Sequence, residues 1–127
     1  MNFYLNLKTL ALFCLLALPT LAADITIVGK VVGVHDDGTL TLRTEDETLK
    51  VRLSGIDTLE LGQPFGNNAK QALSAVAFGK TASIKSSGKD RYGRTLGYIF
   101  IEDQAINTMM VRMGMAWWYR RYDKTEE

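Results

Sequence analysis

The chain has 127 residues, with 15 lysines and arginines against 14 aspartates and glutamates, and 46% of it is hydrophobic. This is the composition of a folded domain rather than a disordered segment, and its near balance of charge means that any basic site has to be a local patch. Removing an expected leader of 23 residues leaves 104, enough for one small core and too few for a two-domain enzyme.

Residues 1–23 open on a polar stretch carrying Lys8, continue through an apolar run over 10–18, and close on Pro19-Thr20-Leu21-Ala22-Ala23. The run is shorter than the roughly 20 apolar residues that span a bilayer, and small residues follow it where a signal peptidase would cut, after Ala22 or Ala23. The expectation is a signal peptide over 1–23 and a secreted or periplasmic domain over 24–127, with no stable membrane association after cleavage. An uncleaved amphipathic anchor or a core helix is the alternative. Cys14 is the single cysteine and lies within the leader, so the mature domain is expected to have no disulfide, thiolate metal site or cysteine nucleophile.

From Ile25 the β-branched residues Ile27, Val28, Val31, Val32 and Val34 predict a strand, which Asp37-Gly38 ends. Leu40 and Leu42 alternate with polar neighbours, Glu45-Asp46-Glu47 forms a tip, and Leu49, Val51 and Leu53 alternate again, predicting a three-stranded meander. A loop is expected over 57–68, then a helix over 69–78 from the spacing of Ala69, Ala72, Leu73, Val76 and Ala77, with Gly79 as its stop. A fourth strand over 81–85, a polar loop over 86–94, a fifth strand over 96–101 and a helix over 106–113 ending at Gly114 follow. Three strands, a helix, two strands and a helix are the order of a five-stranded OB-fold Greek-key β-barrel with helices, an α+β arrangement. That scaffold serves several functions, so the site has to be argued from its own residues.

Two loops concentrate chemistry. Arg52 and the segment Asp57-Thr58-Leu59-Glu60 put a fixed cation and two carboxylates within nine residues, a set able to hold a hard divalent ion and an anionic substrate together. Residues 80–94 carry five cations and one acid, with Tyr92 among them as a ring on which a base could stack. The parts suit phosphodiester hydrolysis: guanidiniums and a metal offset transition-state charge, and a carboxylate orients or deprotonates water. The plain alternatives are solvated ion pairs at loop ends and a simple turn at Tyr92-Gly93-Arg94. His35, the single histidine, removes the two-histidine ribonuclease plan and is expected to be structural or exposed. Trp117-Trp118-Tyr119 is expected to pack against the barrel, with a stacking platform as the alternative, and Met109, Met110, Met113 and Met115 to fill the core.

Over residues 31–122 the sequence resembles the thermonucleases, or staphylococcal-nuclease-like domains. The likeness is carried by Arg52 with Asp57-Thr58-Leu59-Glu60, by Gln63-Pro64-Phe65-Gly66, by Asp90-Arg91-Tyr92-Gly93-Arg94, and by Asn107 leading to Gly114-Met115-Ala116. The resemblance implies a five-stranded OB barrel with two to three helices and a monomeric, calcium-dependent phosphodiesterase acting on DNA and RNA. It assigns Arg52 and Arg94 to the phosphate, Glu60 to the attacking water, and Asp57 and the Thr58 carbonyl to calcium. Tyr92, with Lys89 and Arg91 beside it, is assigned to the substrate. In-line attack by water would expel the 5′ oxygen and leave a 3′-phosphate.

The sequence departs from that family at its first hairpin, where Asp36-Asp37-Gly38-Thr39 replaces the usual Asp-Gly-Asp-Thr. Ungapped counting from Arg52 puts Gly38 at the position of a metal-ligating aspartate. Either Asp37 or Asp36 reaches the metal through a shifted turn, with Asp37 the expected ligand, or the site is one carboxylate short. Leu59 stands where the family commonly has proline, and the long final helix of larger members is expected to be short or absent. The rival reading is a catalytically weak or silent OB module that binds single-stranded nucleic acid. An oligosaccharide-binding domain using Trp117 and Trp118 would leave the arginines idle.

Overall fold

The computed structural model describes residues 24–59 and 62–118. The leader expected at 1–23, Glu60 and Tyr119 lie outside the described residues. The expected meander forms as β1 (Ile25–Val34), β2 (Thr39–Arg43) and β3 (Thr48–Leu53), paired antiparallel in order. β4 (Ile56–Thr58) and helix α1 (Gly66–Ala77) follow, then β5 (Thr81–Lys89), β6 (Thr95–Ile101), β7 (Gln104–Ala105), α2 (Ile106–Arg112) and β8 (Ala116–Trp118).

Five strands close a barrel. β5 pairs antiparallel with both β1 and β6, and β6 returns parallel to β3 through the register Val51↔Thr95, Arg52↔Leu96 and Leu53↔Gly97. This is the mixed OB-type barrel with two helices that the sequence predicts. The inward residues are the alternating ones: Val31, Leu40, Leu42, Val51, Leu53, Ile84, Ile99 and Ile101 are all at most 5% exposed. Ala69, Leu73 and Ala77 of α1 and Ile106 and Met110 of α2 cover the same core, each set on one helical face. Gly97 of β6 packs directly against β5, and a Cβ there would collide with Ile84 Cγ2.

Four local expectations need correction. Helix α1 begins at Gly66 rather than at Ala69, because Asn67 and Asn68 extend its exposed face without adding to the apolar stripe. The stretch 86–89 is strand and not loop: β5 continues against β6 through a bulge between Ser86 and Gly88, where Ser86 Oγ donates to the Gly88 carbonyl at 3.1 Å. Backbone pairing sustains that segment without apolar alternation. Trp117 and Trp118 are not buried packing elements; they are 48% and 47% exposed on β8, which pairs with β4. Of the four methionines expected in the core, Met110 is buried, Met109 and Met115 pack against the core, and Met113 is exposed.

Candidate functional site

Closure of the barrel by β3 and β6 brings together residues far apart in sequence. Arg52 stands at the end of β3 opposite Leu96, two residues past Arg94, and opposite Thr39 at the start of β2. The first hairpin, the β3–β4 turn and the loop before β6 therefore meet at one end of the barrel.

Arg52 is held rigidly there. Its Nη1 donates to the Leu53 carbonyl at 2.8 Å and its Nη2 to the Ile56 carbonyl at 2.9 Å, so the guanidinium spans the β3–β4 turn, and Nη2 lies 3.6 Å from Asp57 Oδ1. The turn is fixed from behind as well. Ser54 N–H donates to the Gly97 carbonyl, and the buried Asn107 donates from Nδ2 to the Ser54 and Gly97 carbonyls while its Oδ1 accepts from Ile99 N–H. Burial lowers the Arg52 pKa from its ordinary value, opposed by the Asp57 carboxylate and reinforced by the positive charge of Arg94. Asp37 and Asp90 also act on it, so these five charges form one coupled group.

Arg94 is placed by Asp90. One Asp90 oxygen accepts from the backbone N–H of Tyr92 and of Arg94, both at 2.9 Å, and the other accepts from Arg94 Nε at 2.7 Å. Partial burial of the Asp90 carboxyl works to raise its pKa, but the hydrogen bonds from Arg94 and Tyr92 outweigh it and hold the group below the usual aspartate value. Arg94 Nη1 then donates to Asp37 Oδ2 and to Thr39 Oγ1, both at 3.2 Å, tying the loop to the first hairpin. Tyr92 is exposed, with the guanidiniums of Arg91 and Arg94 at 4.9 and 5.5 Å from its ring centre. Lys89 is exposed at the end of β5 opposite Thr95 and has no hydrogen bond to the group among the described residues.

The structure thus brings Arg52, Arg94, Asp37, Asp57, Thr58 and Tyr92 to one end of the barrel and leaves Lys89 and Arg91 at its border. His35 is a structural residue, its Nε2 2.8 Å from Thr41 Oγ1. Asp90, Thr39 and Asn107, which hold the arginines and their turn, were not candidates on sequence grounds. In the sequence, Asp90 and Asn107 are only carriers of the family resemblance, with no role assigned to either.

Gly38 sits in the middle of this arrangement with φ +71°, and its carbonyl accepts from Leu53 N–H at 3.0 Å. A Cβ there would lie 2.9 Å from Thr58 Cγ2 and 3.1 Å from Arg52 Nη1. The position counted as the family's metal-ligand position therefore does face the site, but the backbone there is left-handed and the space is filled. Asp37, one residue earlier, reaches the group instead. Its side chain is 47% exposed, yet Oδ1 is covered and has no hydrogen-bond partner, and the buried Thr58 Oγ1 likewise has none among the described residues.

Asp37 Oδ1 and the Asp57 carboxylate are hard donors of the kind calcium takes, as is the Thr58 carbonyl that the resemblance implies. Within the coupled group of five, two guanidiniums against Asp37, Asp57 and Asp90 leave one negative charge, which a divalent cation would offset. The residues fit such an ion, although among the described residues no three of the His, Cys, Asp and Glu side chains are grouped as a ready-made cage.

The profile of the family described as staphylococcal nuclease homologue matches residues 50–127. An uncharacterized endonuclease of Haemophilus influenzae is 43% identical over 94 residues, which cover 73% of this chain and 53% of that protein. A micrococcal nuclease of Shigella flexneri is 39% identical over 105 residues, with coverage of 76% and 60%. An uncharacterized endonuclease of Escherichia coli O157:H7 is 36% identical over 106 residues, with coverage of 83% and 68%. The chain spans little more than half the length of the first two relatives.

Proposed function

The chain belongs to the family of staphylococcal nuclease homologues, and from that premise we propose that it is a secreted or periplasmic, calcium-dependent nuclease that hydrolyses phosphodiester bonds of DNA and RNA as a monomer. The observation that carries this reading is the meeting of Arg52 and Arg94, each held by fixed hydrogen bonds, with the carboxylates of Asp37 and Asp57 in one electrostatically coupled group.

Arg52 and Arg94 bind the non-bridging oxygens of the scissile phosphate and offset the charge that grows on them as phosphorus becomes five-coordinate. Because Asp90 and the turn carbonyls orient both guanidiniums beforehand, little reorganisation is needed when substrate arrives. Glu60, two residues beyond Thr58, accepts the proton of the attacking water. The bond from phosphorus to the 5′ oxygen breaks and that oxygen takes up a proton from solvent, leaving a 3′-phosphate and a 5′-hydroxyl. Tyr92, flanked by Arg91 and with Lys89 nearby, borders the bound strand. Asp37, Asp57 and Thr58 would hold calcium, which when bound supplies positive charge and Lewis acidity at the phosphate.

A second reading is a module that binds single-stranded nucleic acid without cleaving it. It is favoured by the engagement of both carboxylates with arginines, Asp57 with Arg52 and Asp37 with Arg94, and by the missing side chain at Gly38. Purified chain 24–127 incubated with denatured and duplex DNA and with RNA, in calcium, in magnesium and in chelator, separates the two. Calcium-dependent cleavage with 3′-phosphate ends is expected; salt-sensitive binding without cleavage in either metal establishes the second reading.

A further inference from the structure

We infer that Trp117 is a stacking platform for an unpaired nucleobase of a single strand whose phosphate is held at the Arg52–Arg94 group, an inference that rests on the nucleic-acid reading above. Strand β8 pairs antiparallel with β4 in the register Asp57↔Trp117. Residues directly opposite in such a pair project from the same face with their Cβ atoms about 5 Å apart. The indole therefore starts beside the Asp57 carboxylate, itself 3.6 Å from Arg52 Nη2.

Burial does not account for this ring. Ala116, Ile56 and Thr58 make the inward face of the small sheet and are at most 6% exposed, whereas Trp117 is on the opposite face with Asp57 and 48% exposed. A flat apolar ring whose cross-strand neighbour is paired with the Arg52 guanidinium suits a ligand that is apolar and planar at one end and anionic at the other. A nucleotide has that form, with its base one sugar away from its phosphate. Charge favours it too, since Asp57, the cross-strand partner of Trp117, is paired with Arg52 of the proposed phosphate site. In a duplex the faces of the bases are already stacked on one another, so the platform selects single strands, and it tolerates any sequence because every base offers a π face. Tyr92 borders the same group through Arg94, giving the phosphate site a second exposed ring in its own loop.

Trp117 and Trp118 are the only tryptophans of the chain, so Trp118→Phe leaves Trp117 as the single indole emitter. This variant is titrated in chelator, where cleavage is suppressed, with a short oligothymidine and with an abasic strand of the same length and phosphate count. The oligothymidine should quench the emission and bind more tightly than the abasic strand. Trp117→Ala should weaken oligothymidine binding about tenfold, within the range expected for one stacked base, and leave abasic binding unchanged. Trp117→Phe should restore most of the loss, and melting curves of both variants establish that the fold is kept. Equal quenching by the two strands, equal weakening of both by Trp117→Ala, or no weakening at all overturns the inference. If the parent nevertheless cleaves DNA, the proposed function stands without it; if the parent neither binds nor cleaves either strand, both fall together.

Discussion

Replacing Gly38 by Asp restores a carboxylate where the wider family has one, and the structure predicts that it damages the protein instead of improving it. A non-glycine residue at φ +71° costs on the order of 1 kcal/mol. The new Cβ would lie 2.9 Å from Thr58 Cγ2, closer than carbon atoms pack, so Thr58 or the hairpin has to move at a further cost of about 1–3 kcal/mol. The hairpin cannot simply swing away, because the Gly38 carbonyl accepts from Leu53 N–H. The total of about 2–4 kcal/mol corresponds to a melting temperature lower by roughly 10–25 °C in a domain of this size. Since Thr58 is itself a proposed calcium ligand, displacing it should weaken calcium binding measured by calorimetry. Gly38→Ala carries the same strain without the carboxylate and should melt alongside Gly38→Asp. A Gly38→Asp protein that melts within about 3 °C of the parent and binds calcium more tightly refutes this reasoning and shows that the site lacked a carboxylate at position 38.

Asn107→Ala removes the buried amide that serves Ile99 N–H and the Ser54 and Gly97 carbonyls, and should destabilise the domain by about 2–4 kcal/mol in denaturant unfolding. Its activity, measured well below its melting point, should fall as well, because the Ser54 turn that places Asp57 is released. Asp90→Asn tests the pH sign. A carboxyl whose folded pKa is depressed contributes stability above its unfolded pKa of about 4 and loses it as the pH drops through the lower folded value. The variant should therefore melt below the parent at pH 7, and the gap should shrink in melts taken progressively below pH 4.

The barrel was legible because its signals are local and periodic: β-branched β1, the Leu40–Leu42 and Leu49–Val51–Leu53 alternations, and the Ala69–Leu73–Ala77 stripe. What could not be read from pattern is pairing between distant segments. The parallel contact of β3 with β6, which sets Arg52 beside Arg94, leaves no trace in either strand's composition. The β4–β8 sheet is three residues long on each side, too short to show a period, so the placement of Trp117 against Asp57 was invisible and the tryptophans read as packing. Polar strand residues at 86–89 read as loop because their stability comes from backbone pairing. The sequence offered Asp36, Asp37 and a vacancy at Gly38 as alternatives. The left-handed turn at Gly38 and the bond from Arg94 to Asp37 are features of the folded hairpin that its sequence does not display.

The central claim, that the Arg52–Arg94 group is a phosphodiesterase site, is tested most directly by the turnover of Arg94→Ala on denatured DNA in saturating calcium, at a temperature where circular dichroism shows it folded. Removing a guanidinium that meets transition-state charge should cost about 3 kcal/mol or more, a fall in rate of about a hundredfold or greater. A rate within a factor of about three of the parent contradicts the account.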